Sequence, residues 1–94
     1  MVTTAGCSWC AKWDRELGGI YPLTPEGRRA PLRRVELRDF AEPLELLGRL
    51  RYTPTFVLAD RGREIGRITG YQNEDAFWGL LARLMAQLDD RSPH

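Results

Sequence analysis

The chain holds two cysteines, and they stand together as Cys7-Ser8-Trp9-Cys10. Gly6 comes just before, and Ala11-Lys12-Trp13-Asp14-Arg15-Glu16-Leu17 follows, which reads as the start of a helix. A thiol at a helix N-terminus lies among unpaired N–H groups at the positive end of the helix dipole, and both favour the thiolate. Cys7 can therefore attack a disulfide. Cys10 lies on the same face of the first turn and can attack the mixed disulfide that results. The pair is a candidate two-electron thiol–disulfide switch.

The same spacing has other uses. Structural zinc needs four ligands, and here there is no third cysteine and the single histidine is His94, the last residue. No metal site is expected. Two inert core thiols would also fit, since free cysteine is often buried. A purely structural disulfide would close a very short loop and remove little unfolded-chain entropy. Redox use requires a frame that presents the pair.

Ninety-four residues make one small domain, 1–94, with no room for a second. Hydrophobic residues are 43% of the chain, enough for one modest core. The basic residues are nearly all arginine, with Lys12 the single lysine, but 13 acids leave a net charge of only +1. Such a balance argues against a nucleic-acid partner, which selects for a basic excess. No run of about 18 apolar residues is present, so no membrane-spanning helix is expected. Met1 is followed at once by Val2-Thr3-Thr4, without a signal peptide. A cytoplasmic protein and a mature secreted domain would both look this way.

The elements that must hold the pair follow from pattern. Met1–Thr4 reads as the end of a strand, with Ala5-Gly6 as its turn. The first helix is expected over Cys7–Leu17, with Trp9, Trp13 and Leu17 on one stripe and Gly18-Gly19 as its stop. Thr24-Pro25-Glu26 has the cap, proline and acid of a short helical turn. Arg28, Arg29, Arg33 and Arg34 form either an anionic docking patch or, as is commoner, a solvated face. Arg33–Arg38 alternates, with Val35 and Leu37 on one side, as a half-buried strand would. Asp39 can cap a second helix with Leu44, Leu47 and Leu50 inward.

Thr55–Ala59 is an apolar run rich in β-formers and reads as a central strand. The turn Asp60-Arg61-Gly62-Arg63 returns it as an antiparallel strand over Glu64–Thr69. Ile65 and Ile68 break strict alternation there, and Gly66 between them marks a bulge. Asn73-Glu74-Asp75 caps a last helix with Phe77, Leu80, Leu81, Leu84, Met85 and Leu88 as its core stripe and Trp78 at the border. Asp89–His94 reads as a frayed tail. The order is strand, helix, strand, helix, strand, strand, helix (β-α-β-α-β-β-α). The expected architecture is α/β, a four-stranded mixed sheet with helices on both faces. The strands joined through helices should be parallel and the closing hairpin antiparallel.

A second stretch bears on the chemistry: Arg51-Tyr52-Thr53-Pro54-Thr55-Phe56-Val57. Proline directly before a core strand belongs at the strand start, because it cannot donate to the ladder. Thr53-Pro54 is either an ordinary strand start or, in cis, a device that turns the Thr53 backbone toward Cys7. In the second case an extended substrate could pair with Thr53 while its sulfur lies over Cys7.

Taken together, Cys7-Ser8-Trp9-Cys10 after a strand, Tyr52-Thr53-Pro54-Thr55-Phe56-Val57, and Gly66, Gly70 and Tyr71 before a final helix resemble the thioredoxin superfamily over essentially the whole chain. More narrowly, the run from Cys7 through Trp13-Asp14-Arg15-Glu16, Tyr21–Arg28, Ala30–Val35, Gly70-Tyr71 and Phe77–Leu81 resemble the periplasmic thioredoxins of bacterial sulfur-oxidation (Sox) operons, the SoxS-like proteins. The resemblance implies a thioredoxin-like fold and a thiol–disulfide oxidoreductase that needs no cofactor beyond its own cysteines. Cys7 would be the attacking thiolate and Cys10 the resolving thiol. Thr53 and Pro54 would form the substrate-binding cis-proline loop. Ser8 and Trp9 would tune the potential and shape the surface around Cys7, with Trp9 a recognition surface if exposed.

The Sox resemblance further implies a periplasmic reductant, and a single small domain of this kind is expected to be a monomer. It would reduce disulfides or thiol adducts on the sulfur-carrier protein and be recharged by a membrane electron-transfer thioredoxin. Two features depart from the family's better-known branches. Ser8-Trp9 matches neither the Gly-Pro of thioredoxin proper nor the Pro-Tyr of glutaredoxins, and Met1–Thr4 lacks the carboxylate that thioredoxin keeps in the strand before its cysteines. The rival readings are a glutaredoxin-like, glutathione-dependent reductase of mixed disulfides, and a non-catalytic binding module in which the cysteines are incidental.

Overall fold

The computed structural model describes residues 1–39 and 48–91. Four strands form one sheet: β1 (Val2–Thr3), β2 (Val35–Glu36), β3 (Thr55–Asp60) and β4 (Arg63–Thr69), in the order β2-β1-β3-β4. β1 and β2 are parallel, with Val2 opposite Val35 and Thr3 opposite Glu36. β1 and β3 are antiparallel, with Val2 opposite Thr55, and β3 and β4 form the antiparallel hairpin.

The direction of β3 corrects the expectation that strands joined through a helical crossover are parallel. β3 enters the sheet at the end where β1 leaves it, since Thr55, the first residue of β3, pairs antiparallel with Val2. The consequence is functional: the start of β3 and the end of β1 lie side by side, and the cysteines follow directly from the end of β1.

Helix α1 (Ser8–Trp13) continues without a break into a π-helical stretch, Asp14–Gly18. The helix thus runs slightly past Leu17 and stops at the Gly18-Gly19 pair. A 3-10 turn (Tyr21–Leu23) and a short helix α2 (Pro25–Arg29) follow. The Thr24 hydroxyl caps α2 by accepting from Gly27 N–H at 3.0 Å, with Pro25 at the first position. Helix α3 spans Glu74–Arg91, and Asn73 Oδ1 accepts from Ala76 N–H at 2.8 Å to cap it. Residues 89–91 are therefore helical and not a frayed tail. Of the arginine patch, Arg29 pairs with Asp89 and Arg34 with Asp14, so two of its members are engaged in surface ion pairs.

The core is built on aromatic rings. Trp13 is fully buried; its ring centroid lies 5.1 Å from Phe56 and 5.6 Å from Phe77, and Phe56 and Phe77 are 4.9 Å apart. Since Trp13 is on α1, Phe56 on β3 and Phe77 on α3, both helices lie on the same face of the sheet. Leu81, Leu84 and Met85 of α3 complete that layer, while Leu80 is exposed and falls outside the stripe expected for it. Tyr21 stacks on Trp78 at 6.1 Å and donates its hydroxyl to the Ala30 carbonyl at 2.7 Å. Burial raises the Tyr21 pKa, with Glu26 adding to it, so the phenol stays a donor.

Two expectations change in detail. Only Val35–Glu36 is strand, and Leu37–Asp39 turns into a 3-10 helix, since β1 offers just two partners for pairing. In β4 the bulge is present: Leu58 pairs with Gly66 but Ala59 pairs with Glu64, so Ile65 is the extra residue. The slip lets Ile65 and Ile68 both reach the core despite their spacing of three. The body of the second helix, Phe40–Leu47, lies outside the described residues.

Candidate active site

Gly6 shapes the approach to the cysteines. Its φ of +77° belongs to the left-handed region, where glycine carries no steric penalty. The turn it makes lets Cys7 N–H donate to Thr4 O at 3.2 Å and leaves Cys7 extended, as the N-cap of α1. The Cys7 sulfur then occupies the place of a capping oxygen and accepts from Cys10 N–H at 3.2 Å. Cys7 and Cys10 are joined as a disulfide. Their exposure differs: Cys7 is half-buried and borders solvent, whereas Cys10 is 6% exposed and belongs to the core cluster.

Ser8 is exposed, and so is Trp9, at 52%. The Lys12 ammonium stands 5.2 Å above the Trp9 ring and 6.0 Å from the Tyr71 ring, a cation held between two aromatic faces. Tyr71 donates its hydroxyl to Glu16 Oε1 at 2.5 Å. Burial, then that carboxylate, pushes the Tyr71 phenol well up from its usual range, so it stays protonated and keeps donating.

On the other side, the Thr53–Pro54 peptide is cis. Pro54 is buried and Thr53 half-buried. The Thr53 and Thr4 hydroxyls are 2.9 Å apart, which ties the loop to the end of β1, three residues before Cys7. The Thr55 hydroxyl donates to Tyr52 O at 2.5 Å, and Gly70 N–H donates to Pro54 O at 2.7 Å. The Tyr52 ring projects at 66% exposure.

The structure thus brings Cys7, Cys10, Thr53 and Pro54 together through Thr4, with Ser8 and Trp9 at the rim of the disulfide. Thr4, Lys12 and Tyr52 were not singled out by the sequence. The signal for Thr4 was available, as the polar residue where a strand turns into the cysteine motif. Among the described residues, no group of His, Cys, Asp or Glu could hold a metal ion.

A half-exposed sulfur bonded to a buried one, at the head of a helix and beside a cis-proline loop, is an arrangement for dithiol–disulfide exchange. A crystal structure of the periplasmic thioredoxin SoxS from Paracoccus pantotrophus, in its reduced form, superposes with a TM-score of 0.90. The two chains are 48% identical over 94% of this chain and 94% of that one. This chain belongs to the SoxS-like thioredoxins. It is a thiol–disulfide oxidoreductase, and its fold is the thioredoxin-like mixed sheet expected from the motifs. No protein-family profile and no curated protein sequence matches it. For a SoxS-like thioredoxin the Ser-Trp insert puts an exposed indole at the disulfide, and the helix-capping sulfur is the one that solvent reaches.

Proposed function

We propose that this thioredoxin is a reductase of protein disulfides and thiol adducts, acting as a monomer through its single domain, residues 1–94. The observation that carries the reading is the asymmetry of the pair: Cys7 borders solvent and accepts the Cys10 N–H, while Cys10 is 6% exposed. In the reduced form that same N–H, with the helix dipole, stabilises a Cys7 thiolate.

The cycle is written as two exchanges. The Cys7 thiolate attacks one sulfur of the partner's disulfide; that S–S bond breaks, and the partner's other sulfur leaves as a thiolate and takes a proton. The mixed disulfide sits beside Thr53–Pro54, whose backbone pairs with an extended segment of the partner. Cys10, losing its proton, then attacks the Cys7 sulfur. The second partner thiol is released, and Cys7–Cys10 is left oxidised. Two electrons and two protons pass to the partner. A dithiol donor restores the pair by the reverse exchanges. Ser8 and Trp9 tune the potential and shape the docking rim, and no further cofactor takes part.

The likeness to a periplasmic SoxS supports a periplasmic setting. From the family resemblance of the sequence we take the sulfur-carrier protein of a Sox system as substrate and a membrane electron-transfer thioredoxin as electron donor. The test is covalent trapping. Cys7→Ser abolishes turnover of a protein disulfide such as insulin. Cys10→Ser accumulates a mixed disulfide with the substrate, seen as a mass adduct that a reductant removes. Recovery of no adduct contradicts the reading. Glutathione-dependent activity that survives Cys10→Ser replaces it with the glutaredoxin-like one.

A further inference from the structure

β4 carries a buried carboxylate that the exchange chemistry does not use. The Glu64 side chain is 1% exposed and meets Arg67 in a two-pronged pair: Nε donates to Oε2 and Nη2 to Oε1, each at 2.6 Å. The outer edge of the same guanidinium faces the chain that leads into the site. Nη1 donates to Arg49 O and Nη2 to Gly48 O, both at 2.8 Å. A planar fork of donors suits this double task, whereas the ammonium of lysine cannot hold a carboxylate and two carbonyls in one plane. The bond to Glu64 also raises the Arg67 pKa.

The grip falls at a telling place. From Arg49 the chain runs through Leu50 and Arg51 to Tyr52, where the Thr55 hydroxyl holds the Tyr52 carbonyl. Thr53 is then tied to Thr4, and Pro54 O to Gly70 N–H. Leu50–Tyr52 is therefore a short span stretched between two anchors. Arg67 is the anchor on one side, and the Thr53–Pro54 ties are on the other. Tyr52, the most exposed aromatic of the described residues, rides on that span.

We propose that Arg67, locked by Glu64, is a positioning residue that sets the pose of the Leu50–Tyr52 shoulder and so tunes affinity for protein disulfides. The proposal rests on the reading of the Thr53–Pro54 loop as the place where a protein substrate docks. Arg67 does not touch the sulfurs, so its effect is on docking and not on exchange. A small disulfide has no segment to lay along the loop and is indifferent to it.

Two variants separate docking from folding. Arg67→Lys keeps a charge beside Glu64 and loses the fork. The double change Glu64→Leu with Arg67→Met removes the buried pair together, which avoids an unpaired buried carboxylate and is commonly tolerated by the fold. Each is assayed with insulin, using dithiothreitol as terminal reductant, and with 2-hydroxyethyl disulfide. We expect the insulin KM to rise about fivefold in both variants, with kcat and the 2-hydroxyethyl disulfide rate within about twofold of the parent.

An unchanged insulin KM in both folded variants overturns the proposal. A matching loss of rate on the small disulfide also overturns it, because the effect then reaches the cysteines. The underlying reading has its own control: Cys10→Ser must trap insulin. If it traps insulin while KM ignores Arg67, the clamp alone is wrong. If it traps nothing, the docking reading fails and the clamp falls with it.

Discussion

Cys7 differs from Cys10 by position alone. As N-cap it has an extended backbone, a sulfur that receives the Cys10 N–H, and a border with solvent, while Cys10 is buried in the core. A second contact at this scale, between the Thr4 and Thr53 hydroxyls at 2.9 Å, joins the cysteine strand to the proline loop. Removing either hydroxyl by Thr→Val keeps the shape and deletes the bond. In a double-mutant cycle, Thr4→Val and Thr53→Val should show a coupling of about 1 kcal/mol in urea unfolding. Additive effects of the two changes would mean that the hydroxyls do not hold the loop. The pair was hard to read from sequence because its members lie far apart in the chain, and only the antiparallel entry of β3 brings them together.

Among the elements, β4 and α3 meet at a point with little tolerance. A Cβ on Gly66 would stand 2.5 Å from Leu84 Cδ2, and Leu84 is itself buried. Gly66→Ala should therefore destabilise the fold by about 1–3 kcal/mol through overpacking, measured as a lower denaturant midpoint at unchanged slope. A wild-type midpoint would show that α3 shifts freely at this contact. A bulge next to Gly66 was legible, since Ile65 and Ile68 could not share a face without one, and the structure places it at Ile65. The caps at Thr24-Pro25 and Asn73 were legible too, and the structure uses both; the helix at the cysteine motif was legible, but Cys7 is its N-cap and not its first residue. The direction of β3 was not, because the rule for helical crossovers assumes that the chain returns to the starting end of the sheet, whereas β3 starts beside the end of β1. The brevity of β2 was also hidden: alternation extends over Arg33–Arg38, but pairing ends where β1 ends. Arg67 left no trace in the pattern, as its partners are a side chain on its own strand and main-chain carbonyls.

Taken whole, the chain is nearly neutral, with 14 basic residues against 13 acids and a formal net charge of +1. Length and core size bounded the chain to a small protein, but it is the local site, not these totals, that carries the function.

In the proposed direction, Cys7–Cys10 delivers electrons to protein disulfides. The most direct measurement is the equilibrium reduction potential of the pair against a glutathione buffer, followed by the mass of the alkylated thiols. We expect a value near the reducing end of the thioredoxin-like range, about −270 mV. A value near the oxidising end, about −120 mV, would reverse the direction of electron flow and make this chain a disulfide donor. A pair that formed no disulfide at any poise would contradict exchange chemistry altogether.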